Sequence, residues 1–380
     1  MHLFCIQTAP DIDVIVPIVH QLSINKHGDV MVICINPRHD IKNDYLLQYL
    51  INELKVEVLH LHQVNLLIRA IFGFIFTLSS IFSYDLREKL DARLIRFLIN
   101  LKWFFSFLKN SQLSSVTIDE AIPPYGWQIA SLAKALKIKV IISPTGISPA
   151  RIHSREAYDS KLYFDFRLVP PQQELHDSHL EYNNIIKISF PRYCLEWQKV
   201  NSNLLKNAFK LEDLPSQKNK LKVLIFGLPD KNFDFLKNHP LVKRVFDDNN
   251  FTVIYKDKPR VLKGDKYDKY PSALLIQWAD AVICPMGSIV MDIFYYKKMF
   301  IYPKYLAPDW FGLFEDYDIY WQADNEDEVH SLLKQMHSMD NFNAPKTLEI
   351  ENFYNKMVYI NDSYKKNALT EYSSFYQDLV

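Results

Sequence analysis

Glycine is scarce in this chain, eight in 380 residues. None stands in a G-x-G-x-x-G or G-x-x-x-x-G-K-[ST] run, which excludes the Gly-rich dinucleotide fingerprint and the Walker loop as ways of holding phosphate. Cysteine is sparser still. Cys5, Cys34, Cys194 and Cys284 stand far apart, without the spacing of a metal site, and three lie in apolar runs where a thiol acts as a small buried hydrophobe of a reducing compartment. Net charge is absent too: 44 basic residues balance 44 acidic ones, so no overall field recruits nucleic acid or an anionic membrane. Nucleic acid is therefore not an expected partner. The opening MHLFCIQTAPDIDVIVPIVHQL has no basic stretch before its apolar run and no clear cleavage site. It does not read as a signal peptide, and the expectation is a cytoplasmic protein.

What is present is an alternation of strands and helices, twice over. A chain of this length suits two or three domains. The first half offers HLFCIQ, a helix over Val14 to Ser23, VMVICINP, a helix near Asp44 to Leu54, VEVLHL, SSVTID, a helix over Gly126 to Leu136, and KVIISP. The second half offers KVLIFGLP, a helix around Asp234 to Lys243, FTVIYKDK, LLIQ, ADAVICP, a helix from Ser288, and MFIYP. Strand and helix in succession predict right-handed βαβ units, so the fold class is α/β with two Rossmann-like parallel-sheet domains. The irregular, polar stretch between them sets the boundaries: an N-terminal domain over 1–186, a linker over 187–220, a C-terminal domain over 221–342 and a helical segment over 343–380 that packs across one domain. Two apolar stretches, Val64 to Tyr84 with Arg69 inside it and RLIRFLINLKWFFSFLKN at 93–110, read either as core helices or as a basic amphipathic surface at a bilayer. On the second reading, residues 64–110 give the protein a peripheral membrane contact.

Two strands of the second half end in residues suited to an anion. FTVIY runs into Lys256-Asp257-Lys258-Pro259-Arg260, and an extended chain puts Lys256, Lys258 and Arg260 on one face. ADAVIC ends in Pro285-Met286-Gly287-Ser288, with Ile289 next and Asp292 a turn into the following helix. Ligands of open parallel sheets gather beyond the carboxyl ends of strands, and a helix start there aims N–H groups and a hydroxyl at them. The plainer reading is a solvated strand end and an ordinary βα turn. Carboxylates follow two other strands: Asp119 and Glu120 after SSVTI, and Asp230 after KVLIFGLP, each placed for a general base or a nucleophile. Asp230 also reads as a helix N-cap. Thr8, Asp11 and Asp13 lie in the first βα loop, where an acceptor is met. Asp11-Ile12-Asp13 imitates a metal-binding Asp-X-Asp, but its place after the first strand speaks against a metal. Arg151, His153 and Arg155 form a basic loop that either binds donor carboxylate or phosphate or is simply solvated.

The run ADAVICPMGSIVMDIFYYKKMFIYP resembles the C-terminal signature of bacterial surface-polysaccharide transferases, a group that includes capsule Kdo transferases, CDP-glycerol-type polymer transferases and some sialyltransferases. VIYKDKPR is similar to their basic segment, with Lys258 where a histidine often precedes proline. VTIDEAIPPYGWQIASLAKALKIKVIISPTG is similar to an N-domain element ending in His-Gly, with Thr145 for the histidine before Gly146, and ISFPRYCLEW resembles the interdomain segment. The resemblance implies a GT-B fold, two such domains facing across a cleft with a C-terminal crossing helix. It implies a donor phosphate held by Ser288 and the N–H groups of Gly287 to Ile289 beside Pro285 and Met286, with Lys256, Lys258 or Arg260 neutralising the leaving nucleotide and Asp292 tethering the helix start or a sugar hydroxyl. Thr8, Asp11, Asp13, Gly146, Arg151 and Arg155 become acceptor or donor loops. It implies no metal and no cofactor, a nucleotide-sugar donor, and a saccharide or lipid-linked glycan acceptor. The cations favour CMP-activated Kdo or a related ulosonic acid. A UDP-hexose transferase, an enzyme like the nonhydrolysing UDP-GlcNAc 2-epimerases and a noncatalytic glycan-binding assembly protein stay open as alternatives.

Overall fold

The structure, a computed structural model, describes residues 1–7, 9–26, 28–35, 44–60, 101–118, 125–144, 164–171, 184–227, 239–256, 267, 269–284, 287–306, 319–338, 347–360 and 367–379. The N-terminal part is built from β1 (His2–Ile6), α1 (Ala9–Ile24), β2 (Val30–Cys34), α2 (Tyr45–Asn52), β3 (Glu57–His60), α3 (Leu101–Asn110), β4 (Ser115–Ile118), α4 (Tyr125–Ala135), β5 (Lys139–Ile142), β6 (Phe166–Val169) and β7 (Ile185–Lys187). Its seven strands lie in the order β3-β2-β1-β4-β5-β6-β7, and every pairing is parallel. A linker follows, made of a 3₁₀ turn at Pro191–Tyr193 and helix α5 (Leu195–Ala208).

The second part comprises β8 (Leu221–Phe226), α6 (Pro240–Asp247), β9 (Phe251–Lys256), α7 (Ser272–Trp278), β10 (Ala281–Ile283), α8 (Val290–Tyr295), β11 (Met299–Pro303), β12 (Trp321–Ala323) and α9 (Glu326–Ser338). The five strands run parallel in the order β12-β11-β10-β8-β9. Central strands such as FCI, VLIF and AVI are buried on both faces, which is why they read as unbroken apolar runs rather than alternating ones. The expected strand LLIQ is instead part of α7. Ala273, Leu274, Leu275, Ile276 and Trp278 are all buried there, so periodicity could not separate helix from strand. The helix expected around Asp234 to Lys243 is described from Pro240 to Asp247, where His239 caps it by accepting from Leu241 N at 3.2 Å. Strands β6 and β7 were not expected.

The C-terminal segment does not stay on one domain. Helix α10 (Thr347–Val358) packs on α8 of the second domain, whereas α11 (Thr370–Gln377) returns to pack on α1 of the first. Buried Tyr376 shares a 2.7 Å hydrogen bond with Thr117 of β4, and its ring meets His2 edge-on at 5.1 Å. Of the two apolar stretches, 64–84 lies outside the described residues, as does 93–100. The rest forms α3, with Phe104 fully buried and Phe105 exposed. Among the described residues no helix is long and apolar enough to cross a membrane.

Scarcity of glycine leaves a mark at helix ends. Lys26, Lys55, Gln112, Lys137 and Lys297, each just past a helix, take the left-handed φ that glycine usually supplies. After α4, Ile138 N reaches back to Ala133 O at 2.9 Å and Lys137 N to Lys134 O at 2.9 Å, a Schellman closure around Lys137 at φ 60°. Lysine suits the negative end of a helix dipole but not this φ. Lys137→Gly is expected to raise unfolding free energy by roughly 0.5–1 kcal/mol in a urea titration. For the crossing helix, Tyr376→Phe strands the buried Thr117 hydroxyl and should cost about 1–3 kcal/mol, while adding Thr117→Val should return most of that loss.

Candidate functional site

Three βα turns and the linker converge. After β1, Asp11 accepts the Gln7 N–H at 2.7 Å and fixes the turn into α1. One half-turn later Asp13 projects from the same helix. After β2, Asp44 accepts from Leu46 N at 2.9 Å and caps α2. In the second domain the chain leaves β10, passes Gly287 and Ser288, and enters α8, whose first turn carries Asp292. Between the domains stands Arg192. Its Nη1 meets Asp13 Oδ2 at 2.7 Å, and its Nη2 donates to Asp292 Oδ2 at 2.9 Å. One guanidinium thus joins a carboxylate of each domain. The side chain of Asp292 is 2% exposed and that of Arg192 20%, whereas Asp13 keeps 36% and so opens to water.

The neighbouring residue works on the same turn. Tyr193 OH donates to Ser288 O at 2.7 Å, and the Tyr193 ring lies 5.2 Å from the Arg192 guanidinium. Within the turn, Val290, Met291 and Asp292 donate back to the carbonyls of Gly287, Ser288 and Ile289. Among the described residues, the N–H groups of Gly287, Ser288 and Ile289 make no backbone hydrogen bond of their own. A Cβ built on Gly287 would meet nothing within 4 Å, so the space over this turn is open. An anion approaching there would find N–H donors and the Ser288 hydroxyl.

Other expected residues fall elsewhere. Thr8, Asp119, Glu120, Gly146, Arg151, Arg155, Asp230, Lys258, Arg260, Pro285 and Met286 lie outside the described residues. Lys256 is 3% exposed and donates from Nζ to Tyr270 O at 2.6 Å. It ties the end of β9 to the start of α7 instead of displaying its charge at an open strand end. His20 hydrogen-bonds Tyr49 OH at 2.7 Å and packs on Trp197, as a core histidine does. The structure brings together Asp13, Asp292 and the Gly287–Ile289 turn, and adds Arg192, Tyr193 and Asp44. Arg192 and Tyr193 stood in the sequence only as part of FPRYCLEW, and Asp44 only as a helix start. A lone arginine among the aromatic residues of SFPRYCLEW was the available signal.

Two carboxylates, Asp13 and Asp292, face one cation, and Asp44 lies close enough to Asp13 to feel its charge. Burial pushes Asp292 up to about 6, with Arg192 opposing and Asp13 adding to the rise. Burial also raises Asp44 to about 6, helped by the charge of Asp13. It raises Asp13 as well, against the pull of Arg192. Burial alone would lower Arg192, but Asp13, Tyr193 and Asp292 hold it well above its ordinary range. A carboxyl whose pKa is raised by folding stabilises the fold while protonated, and that contribution disappears as pH climbs from about 4 to 6. Asp44→Asn keeps the N-cap and removes the charge. Its melting temperature should match the parent near pH 4 and exceed it at pH 7 by about 2 °C, the equivalent of roughly 1 kcal/mol after solvent screening. Equal melting temperatures at both pH values would show that Asp44 carries no buried charge.

No protein-family model matches the sequence, and no curated protein matches it. Solved structures do match over nearly the whole chain. One is UDP-GlcNAc 2-epimerase of Methanocaldococcus jannaschii in complex with UDP-GlcNAc and UDP, 14% identical, covering 93% of this chain and 98% of its own, with a TM-score of 0.52. A second is UDP-GlcNAc 2-epimerase from Neisseria meningitidis bound to UDP-GlcNAc, 12% identical, covering 100% and 98%, with a TM-score of 0.54. A third is a variant of the wall teichoic acid polymerase TagF, 12% identical, covering 100% and 88%, with a TM-score of 0.57. Such identities speak for the fold alone. Two parallel α/β domains, a linker between them and a C-terminal segment that crosses back make this a GT-B fold.

Proposed function

We propose that this chain binds a nucleotide-activated sugar beside the Gly287–Ser288 turn and transfers the sugar to a saccharide acceptor in the synthesis of a bacterial surface glycan. The observation that carries the reading is the turn itself: open space beside Gly287 and, among the described residues, three N–H groups that make no backbone hydrogen bond, beyond the carboxyl end of a central strand. In the transfer, a bond forms between the acceptor oxygen and the anomeric carbon while the bond from that carbon to the phosphate oxygen breaks. The nucleotide leaves as an anion, and Ser288 with the N–H groups of Gly287 to Ile289 meets its charge. The acceptor proton goes to a carboxylate, for which Asp119 or Glu120 after β4 and Asp230 after β8 are the candidates.

The donor in the finer form of this reading is CMP-Kdo or another CMP-activated ulosonic acid, supported by the basic residues Arg151, Arg155, Lys258 and Arg260. A second reading, UDP-GlcNAc 2-epimerisation, is favoured by the structures above that hold UDP-GlcNAc. Incubation with UDP-GlcNAc and no acceptor separates the two, since only the epimerase yields the epimer. A lipid-linked acceptor fits peripheral contact through 64–110; liposome flotation that is lost in Phe105→Ser would support it, and no flotation of the parent would remove it.

Gly287→Ala tests the site. The added methyl has room in the protein, so stability should hold or rise by about 0.4–1 kcal/mol, while the approach of a phosphate to the turn is obstructed. In a thermal-shift panel of CMP, CDP, UDP and GDP, the preferred nucleotide at a hundred times its dissociation constant should add about 2.7 kcal/mol to the parent. Preference for CMP supports the ulosonic acid donor, and preference for UDP moves the assignment to a hexose or the epimerase. Binding undiminished in Gly287→Ala would place the phosphate elsewhere.

A further inference from the structure

Arg192 does more than fill the space between the domains. Its two ion pairs run to groups 179 and 100 residues away in the chain, one on the first helix of the N-terminal domain and one in the first turn of α8. Its own backbone has no slack: Gln198 Nε2 donates to Arg192 O at 2.8 Å, and Tyr354 OH donates to Tyr193 O at 2.6 Å. The linker therefore presents the guanidinium from a fixed point. Asp292 N donates to Ile289 O at 3.0 Å and its carboxylate holds Arg192, so the last residue of the Gly287–Asp292 turn is positioned from the linker. Tyr193 holds the same turn at Ser288 O.

A guanidinium is planar and presents its two terminal nitrogens in a rigid fork. With Nη1 on Asp13 and Nη2 on Asp292, rotation or withdrawal of α1 pulls on the contact with α8. We propose that Arg192 is a positioning residue that couples the shape of the Gly287–Ser288 turn to the placement of the N-terminal domain, so that the turn is set for an anion only while Asp13 occupies the other arm of the fork. The coupling rests on the reading of that turn as the donor phosphate site; the mechanical link can be measured without any ligand. Asp13 is the most exposed of the three side chains.

Hydrogen exchange on the unliganded full chain tests this with Asp13→Ala, which touches nothing in the turn, and with Arg192→Lys, whose single ammonium cannot span both carboxylates. Amides of Val290, Met291 and Asp292, which close the turn onto the carbonyls of Gly287, Ser288 and Ile289, should exchange roughly tenfold faster in both variants, the equivalent of one charge-assisted hydrogen bond, while β8 and β9 exchange as in the parent. Unchanged exchange at 290–292 in Asp13→Ala overturns the proposal, because Asp292 and Tyr193 would then hold the turn alone. UDP titrations of the parent, both single variants and the double variant add a second measure. Losses that fail to add support coupling through Arg192, and losses that add fully would mean that Asp13 acts on the ligand directly and would overturn it. A parent that binds neither UDP nor CMP counts against the donor reading, and the exchange result still decides the coupling.

Discussion

A cation withdrawn from water costs several kcal/mol unless anions and hydrogen bonds replace its hydration, and Arg192 obtains that replacement only when both domains stand where they do. Asp13 alone would leave half of the fork unsatisfied, and so would Asp292. The relative placement of the two sheets is thus written in charge as well as in apolar contact. Charge is the more exacting of the two, since a salt bridge tolerates little displacement whereas greasy surfaces slide. The surroundings reinforce this: Ser189 receives Tyr372 OH at its carbonyl and lies against Glu371, and Leu195 N is held by Tyr359 OH. Side chains made last in the chain fix the backbone of the linker made in its middle.

The same locality explains the excess of acid. Asp13, Asp44 and Asp292 come from three separate strand ends, and each has a local duty or an ion pair of its own. Their meeting follows from the topology of parallel sheets, which delivers every βα turn to one edge. Arg192 pairs with two of them, and burial holds Asp44 and Asp292 above the usual carboxylate range. Glycine, by contrast, is spent sparingly. Helix ends that would ordinarily take it use lysine or, at Gln112, glutamine, and Gly287 stands where open space lies beside the backbone.

The fold was legible where burial on both faces leaves long apolar runs, as in VMVIC, LKVLIF and FTVIY, and the two-domain plan follows from their alternation with helices. It was illegible where the runs are short or interrupted. FRLV carries a half-buried arginine side and IIK has three residues, so neither signals a strand on its own. ALLI misled for the opposite reason, being buried on every side of a helix. Within the candidate site, the turn that carries Gly287, Ser288 and Asp292 could be placed because a strand, a turn and a helix start lie in one stretch of sequence. Arg192 could not be assigned its partners, because periodicity carries no information about charges that meet only after two domains have folded. The burial of Lys256 was not legible either, because strand alternation says which way a side chain points but not whether a carbonyl waits for it there.

The chain closes on itself. Tyr376, four residues from the C-terminus, stands against His2 at the N-terminus and bonds to a strand between them in sequence. A protein is made from its N-terminus at roughly 5–20 residues per second, so the first domain spends its synthesis with the face that receives α11 uncovered. That domain reaches its final form only after α11 has left the ribosome, when the whole of the second domain has already been made.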